Sequence, residues 1–420
     1  MDTVVALVDC ENFYVSCERV FDPSLRDVPV VVLSNNDGCV IARSQAVKEA
    51  GVPMGAPYFK WAEPLDAMDA VVRSSNYALY GDMSRRVMQE LEAEALRLER
   101  YSIDEAFLTL PALDRGALRR QARRLQQRVR RRQGVPIRVG IGPTKTLAKV
   151  ADERAKGGDG RYVCPSGDAL AAVLRSVPVG EIWGIGPAYS ARLTEHDVTT
   201  AEALRQCPDP WIRRHLSVVG LRIATELRGT PCLALEDAPA PRKSMIRSRS
   251  FSDRLYAQGA LREAVAKHAQ RAAEKLRAED LVAGRIGVFV TTKDFGDPPH
   301  YSNAAATALR PATHHTPALI EAAGALLRAV YREGPAYKKA GVQLQALRPA
   351  SARQGHLFAG RDAEDDALMA AVDGLNREMG RGTVGFAAAG VAGQRDWTMK
   401  RERRSPHYTT RWDDLPTAQA

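Results

Sequence analysis

The stretch Tyr101-Ser102-Ile103-Asp104-Glu105-Ala106-Phe107-Leu108-Thr109-Leu110 reads as an apolar strand carrying two adjacent carboxylates. Acids inside an apolar β run are costly unless a cation neutralises them. A second apolar run, Thr3 to Val8, ends in a third acid, Asp9. Three carboxylates at strand positions, with few other charges nearby in sequence, point to a hard divalent cation held through oxygen. Successive strand side chains face opposite ways. Asp104 and Glu105 can therefore serve one site only where the chain turns or bulges.

The elements that position these acids follow from periodicity. A short helix is expected from Phe13, with Phe13, Cys17, Val20 and Phe21 on one face and Tyr14 about 100° from it. Pro29 to Leu33 is predicted as a buried strand, Asn35-Asn36-Asp37-Gly38 as a hairpin turn, and Cys39 to Ala42 as its partner. Ser44 opens a helix that runs through Ala50 and is stopped by Gly51 and Pro53. A longer helix is expected over 77–98, followed by the acidic strand over 101–110. Residues 114–132 form an amphipathic helix with the stripe Leu118, Ala122, Leu125 and Val129, and the arginines covering the rest read as a solvated outer face. Val135 to Ile141 is a strand, and Gly142-Pro143-Thr144 leads into a helix carrying Lys145, Lys149 and Lys156. This alternation argues for an α/β or α+β domain ending near 167.

From 168 to 231 the pattern changes to short helices. Trp183-Gly184-Ile185-Gly186-Pro187 is a helix-hairpin-helix signature, in which Gly184 and Gly186 permit the tight turn and the next helix offers backbone N–H groups to a phosphate. A Pro/Ala-rich linker over 230–241 precedes a third module, 242–348, whose strand–helix–strand–strand–helix–strand order predicts a βαββαβ sandwich. Lys243, Arg247 and Arg249 have period-two spacing, which puts them on one strand face suited to gripping a phosphate backbone. Beyond Pro349 the chain reads as loop-like, ending in basic residues interleaved with Trp397, Tyr408 and Trp412.

Composition bounds the partners. With 420 residues, 45% of them apolar, the chain is globular with room for several domains, and a net charge of +10 favours an anionic partner such as nucleic acid. Six scattered cysteines without a C-x-x-C pair fit a reducing compartment and exclude a disulfide or zinc framework. No signal peptide or long apolar run is apparent, so a cytoplasmic, nucleoid-associated protein without a membrane partner is expected.

Four pieces carry a family resemblance: Asp9-Cys10-Glu11-Asn12-Phe13-Tyr14, Ser34-Asn35-Asn36-Asp37-Gly38-Cys39-Val40-Ile41-Ala42-Arg43, Tyr101 to Phe107, and Gly140-Ile141-Gly142-Pro143-Thr144-Lys145-Thr146-Leu147-Ala148-Lys149. In order and type they resemble the Y family of translesion DNA polymerases, over nearly the whole chain. Gly380-Arg381-Gly382-Thr383 and Ser405-Pro406-His407-Tyr408-Thr409-Thr410-Arg411-Trp412 are similar to the branch of that family that works with a UmuD′-type dimer and RecA.

The resemblance implies a multidomain α+β right hand. Its parts would be a palm (1–11 and 75–167), fingers (12–74), a helical thumb with the helix-hairpin-helix (168–231), a βαββαβ little finger (242–348) and a C-terminal tail (349–420). It implies error-prone, template-directed DNA synthesis past lesions in the SOS response. Asp9, Asp104 and Glu105 would bind two Mg²⁺ ions, one activating the primer 3′-hydroxyl and one bridging the triphosphate. Tyr14 would be a steric gate against the ribose 2′-hydroxyl, with Phe13 beside it, although Phe13 on its apolar helix face also fits a core position. Lys48 and Lys156 match positions that contact the triphosphate, whereas Gln45 stands where many relatives carry a tyrosine. The substrates implied are primer–template DNA and deoxynucleoside triphosphates. Gln354-Gly355-His356-Leu357-Phe358 fits the Q-x-x-L-F pattern of sliding-clamp binding, with Gln354, Leu357 and Phe358 as anchors. A non-catalytic scaffold would lack the three acids, and a palm-fold nucleotidyl cyclase would lack the DNA-binding modules.

Overall fold

The computed structural model describes residues 3–236, 241–292, 300–353, 362–380, 382–390 and 400–415. The clamp-like peptide with Gln354, Leu357 and Phe358, and the stretch containing Trp397, lie outside the described residues. The chain forms two compact units, Met1–Pro239 with Glu402–Ala420, and Ala240–Arg401.

In the first unit β1 (Thr3–Cys10) enters α1 (Phe13–Phe21) through Asn12, whose left-handed backbone (φ 48°) asparagine tolerates better than most residues. Then come β2 (Val30–Leu33), β3 (Val40–Arg43), α2 (Gln45–Glu49), α3 (Tyr58–Ala67) and β4 (Val71–Ser74), with the three strands in the order β3-β2-β4. β2 is buried on both faces. Val30 and Val32 join the core around α1, while Val31 and Leu33 pack with Val47 of α2 and Leu65 of α3.

The chain continues as α4 (Tyr77–Glu92), β5 (Arg97–Arg100), β6 (Glu105–Pro111), α5 (Arg115–Gln133), β7 (Ile137–Gly142), α6 (Lys145–Ala155) and β8 (Arg161–Val163). Its five-stranded sheet is ordered β5-β6-β1-β7-β8. Ala6, Val8, Leu108, Val139 and Ile141 point to one face and share a core with α1, α4 and α5, and α5 buries the expected Leu118, Ala122, Leu125 and Val129. Leu7 and Phe107 point to the other face, where they meet Ala148 of α6. A Cβ on Gly140 would lie 2.2 Å from the Asp152 nitrogen and 2.6 Å from the Ala148 oxygen, so α6 reaches the sheet because residue 140 has no side chain.

Two expectations change here. The helix expected over 77–98 ends at Glu92, because Arg97–Arg100 pairs as an edge strand with β6. The acidic strand begins at Glu105 rather than Tyr101, because 101–104 form the turn joining β5 to β6. Four further helices, α7 (Gly167–Arg175), α8 (Pro187–Thr194), α9 (Ala201–Gln206) and α10 (Asp209–Leu227), surround a core that includes Leu174, Leu193, Leu204 and Leu216 together with Leu147 and Val150 of α6.

The second unit contains β9 (Ser244–Leu255), α11 (Gln258–Ala278), β10 (Leu281–Thr291), β11 (Ser302–Thr313), α12 (Thr316–Val330) and β12 (Tyr337–Pro349). They form the expected βαββαβ order, with an antiparallel sheet arranged β11-β10-β12-β9. Its residues Met245, Phe251, Val288, Val342 and Leu344 are buried with the helices. The region expected to be loop-like contains α13 (Asp362–Glu378). The helix is fixed by buried Met369 and by Arg277 of α11, whose guanidinium donates to both carboxylate oxygens of Asp373 at 2.6 and 2.8 Å. Among the described residues no helix is long and apolar enough to cross a membrane.

Candidate active site

Strand register sets Glu105, Asp9 and Arg138 side by side on β6, β1 and β7. Cross-strand partners point the same way, so this row lies on the face covered by α6. From α6 come Lys149, whose Nζ is 2.8 Å from Glu105 Oε1, and Asp152. Arg138 bridges the acids, 3.0 Å from Asp9 Oδ1 and 3.3 Å from Asp152 Oδ1, although it is only 9% exposed.

Asp104 reaches the same place by another route. It sits in the β5–β6 turn, where its carbonyl accepts the Cys10 N–H at 2.9 Å. Ser102 Oγ braces the turn by accepting the N–H groups of Asp104 and Glu105 at 3.1 and 3.0 Å, and it donates to Asp104 Oδ1 at 2.5 Å. The turn places Asp104 beside Asp9 on the cleft, while Glu105, the first residue of β6, turns to Lys149. Among the described residues no three acidic, histidine or cysteine side chains meet at one point, since Asp9 is drawn to Arg138 and Glu105 to Lys149.

The electrostatics show carboxylates held in a desolvated place. Burial pushes the Asp9 carboxyl up to about 7; Arg138 pulls it down, but Asp152, Glu105 and Asp104 push it further up. Burial also raises Asp152 against the pull of Arg138. Arg138 is one guanidinium shared by two carboxylates, Asp9 and Asp152, while Glu105 is paired with Lys149. The donors are all oxygens and the surplus is anionic, which fits a hard divalent cation.

Asp9 and Asp104 open onto a cleft of about 860 Å³. Asp9, Asp104 and Arg138 form one side, and Phe13, Tyr14, Arg43, Gln45, Lys48 and Lys156 also line it. Burial lowers the Lys48 pKa, and the positive charges of Arg43, Arg138 and Lys156 lower it further. A wall of crowded cations opposite acids suits a polyanion that carries its own metal. Tyr14 stacks on Tyr80 with centroids 4.3 Å apart and planes 14° apart. Phe13 touches the cleft wall, but it is only 3% exposed and belongs to the core.

Sequence reasoning missed Arg138 and Asp152, and it assigned no role to Arg43. The signal for the first two was present. Arg138 is a lone charge in the fully buried strand Ile137–Gly142, and Asp152 stands on the apolar face of α6 between Ala148 and Ala155.

The candidate DNA contacts fare unevenly. Gly184 has φ 91°, and a Cβ there would come 2.8 Å from Ile223 Cδ1; Gly186 caps α8 with open space around it. Lys243 is exposed. Arg247 and Arg249 share a strand face as expected, but it is the wrong one for an open grip. Their cross-strand partners, Val342 and Ala340, are buried core residues, so both arginines point to the helix-covered side. There their charges act on His268 of α11, whose pKa is lowered to about 4 by burial and by both guanidinium charges.

Comparison with known proteins gives consistent matches. Models of the impB/mucB/samB family, of that family's C-terminal domain and of a domain of unknown function (DUF4113) match residues 8–153, 242–357 and 366–418. The chain is 42% identical to UmuC of Salmonella typhimurium, over 98% of this chain and 99% of that protein. It is 30% identical to DNA polymerase IV of Caulobacter vibrioides, over 90% of this chain and 92% of that one. Among solved structures, a Y-family DNA polymerase chimera superposes with a TM-score of 0.66 at 20% identity, covering 82% of this chain and 99% of the chimera.

Proposed function

The chain belongs to the impB/mucB/samB family and has the Y-family polymerase fold, and from that premise we propose that the cleft beside Asp9 joins deoxynucleotides to a primer end. The protein is an error-prone, template-directed DNA polymerase of the UmuC kind that carries out translesion synthesis on DNA with deoxynucleoside triphosphates. The observation that carries the site is Asp9 with Asp104 and Arg138 on a cation-lined cleft, Glu105 standing next to Asp9 in the strand register.

Asp9, Asp104 and Glu105 hold the divalent metal on this reading. Two Mg²⁺ ions bound there would make the primer 3′-hydroxyl a better nucleophile and neutralise the triphosphate and the leaving pyrophosphate. Arg138 and Lys149 hold Asp9 and Glu105 in place across the sheet. Arg43, Lys48 and Lys156 take up the charge of the triphosphate. The Tyr14 ring, backed by Tyr80, fills the space a ribose 2′-hydroxyl would need.

We assign residues 1–11 with 75–167 to the palm, 12–74 to the fingers, 168–231 to the thumb and 242–348 to the little finger. Gln354, Leu357 and Phe358 would tether the enzyme to a sliding clamp and so raise its local concentration at primer ends. A UmuD′-type dimer and RecA are proposed partners, on the likeness to UmuC.

Primer extension tests the site. Asp104→Ala should abolish extension, and Tyr14→Ala should admit ribonucleotides. Near-normal extension by the first variant ends the metal assignment, and unchanged sugar selection by the second returns Tyr14 to the core.

A further inference from the structure

The C-terminal segment matched by the domain of unknown function comes back onto the first unit, and it does so directly behind the Tyr14 stack. Arg403 pairs with the end of β4: the Ser74 N–H donates to its carbonyl at 3.0 Å, and its own N–H donates to Ser74 Oγ at 3.1 Å. Two residues on, Ser405 is 3% exposed. Asn76, the N-cap of α4, donates through Nδ2 to the Ser405 hydroxyl at 3.0 Å and to its carbonyl at 3.3 Å. Tyr408 stacks on Phe21 with planes 6° apart.

What Ser405 does next matters more. Its hydroxyl donates to Glu18 Oε1 at 3.0 Å, and the same oxygen accepts the Tyr80 hydroxyl at 2.7 Å. Glu18 is 1% exposed and Tyr80 is 0% exposed. Glu18 and Tyr14 are four residues apart on α1, so they share one helical face. The Tyr80 ring thus has the tail-held carboxylate at its hydroxyl end and the Tyr14 ring on its face. A buried carboxylate with two hydroxyl donors loses much when one is removed, because no water replaces it.

We propose that Ser405 is a positioning residue for sugar selection: the C-terminal segment, through Glu18 and Tyr80, holds the Tyr14 ring at the distance that excludes a 2′-hydroxyl. This rests on Tyr14 being the gate. Steric exclusion is steep in distance, so a shift of a few tenths of an ångström in the backing ring changes selection more than it changes catalysis. The segment 402–415 then belongs to the nucleotide-selecting machinery, although it lies some 390 residues from Tyr14 in sequence.

The test measures kcat/KM for a deoxynucleotide and for its ribonucleotide counterpart in single-nucleotide primer extension by the full chain. Ser405→Ala and Tyr80→Phe should each lower the deoxy-to-ribo ratio about fivefold, the loss expected for one hydrogen bond. Ser405→Thr keeps the hydroxyl and should retain the ratio. The two lowering substitutions combined should fall short of their product, since both act through Glu18. If Ser405→Ala lowers both efficiencies equally, or neither, the segment merely braces the fold and the proposal is overturned. If Tyr14→Ala leaves the ratio unchanged, the gate reading fails first. A collapsed ratio in Tyr14→Ala with a normal one in Ser405→Ala removes this proposal alone.

Discussion

The two units bury charge of opposite sign. At the cleft of the first, Asp9 and Asp152 flank the one guanidinium of Arg138, two carboxylates to one cation. Beside β9 of the second, the charges of Arg247 and Arg249 act on His268, and Arg247 Nε and His268 Nε2 are buried without a hydrogen-bond partner among the described residues. A surplus of buried carboxylate is relieved by a cation from outside. A surplus of buried guanidinium is relieved by an anion, or by keeping the neighbouring histidine neutral. Both clusters are therefore incomplete as they stand, in opposite senses.

The largest effect that could break this contrast is chemical. Asp104→Ala should reduce primer extension about 10³-fold or more, as removal of a metal-coordinating or charge-stabilising group does. A variant within tenfold of the wild type would place the metal elsewhere.

Next comes the counter-ion. Arg138→Met leaves Asp9 and Asp152 buried without their guanidinium, which should destabilise the metal-free first unit by about 3 kcal/mol. Thermal melts should show part of that loss recovered on adding Mg²⁺, and by more than Mg²⁺ stabilises the wild type. Equal melting points without metal would mean the pair contributes nothing.

The second unit is probed by acid. The folded-state pKa of His268, about 4, lies below its ordinary 6.5, so the unfolded chain binds more protons between these values. Stability is full above pH 6.5 and declines as pH falls toward 4, by roughly 2–3 kcal/mol across the window. His268→Gln should flatten the difference between melts at pH 7 and pH 4.5, and an undiminished decline would put the acid sensitivity in other groups.

The smallest effect is on DNA affinity. Each of Arg247 and Arg249 that meets a phosphate should contribute about 1 to the slope of log affinity against log salt. Because both point to the helix-covered side, their alanine variants should leave that slope unchanged in fluorescence-anisotropy titrations, and a loss of that amount would mean that the arginine reaches a phosphate.

Much of this was legible before any coordinates. The alternation of Ala6, Val8 and Leu108 against Leu7 and Phe107 dictates a sheet covered on both faces, and the helix stripe from Leu118 to Val129 is buried as its spacing requires. The failures have local causes. Tyr101 to Asp104 carries no glycine or proline to mark a turn, because Ser102 supplies the turn by side-chain hydrogen bonds instead. The face of Arg247 and Arg249 could have been read correctly, since Met245 and Phe251 share their parity and are core residues. Asp152 was invisible as a partner of Arg138 because pairing across a sheet and a helix leaves no periodic trace. The path from Ser405 to Tyr14 spans almost the whole chain, and local spacing says nothing about contacts at that range.

The closeness of α6 to the sheet at Gly140 has a consequence beyond packing. That one helix delivers Lys149 to Glu105 and Asp152 to Arg138, and its stand-off is set by a hydrogen atom where other residues have a methyl. Gly140→Ala would shove the helix outward and loosen both ion pairs together, behaving as a double charge lesion while altering no charged residue. The fragility of the candidate acids to inherited change is thus concentrated at a position that carries no functional group at all.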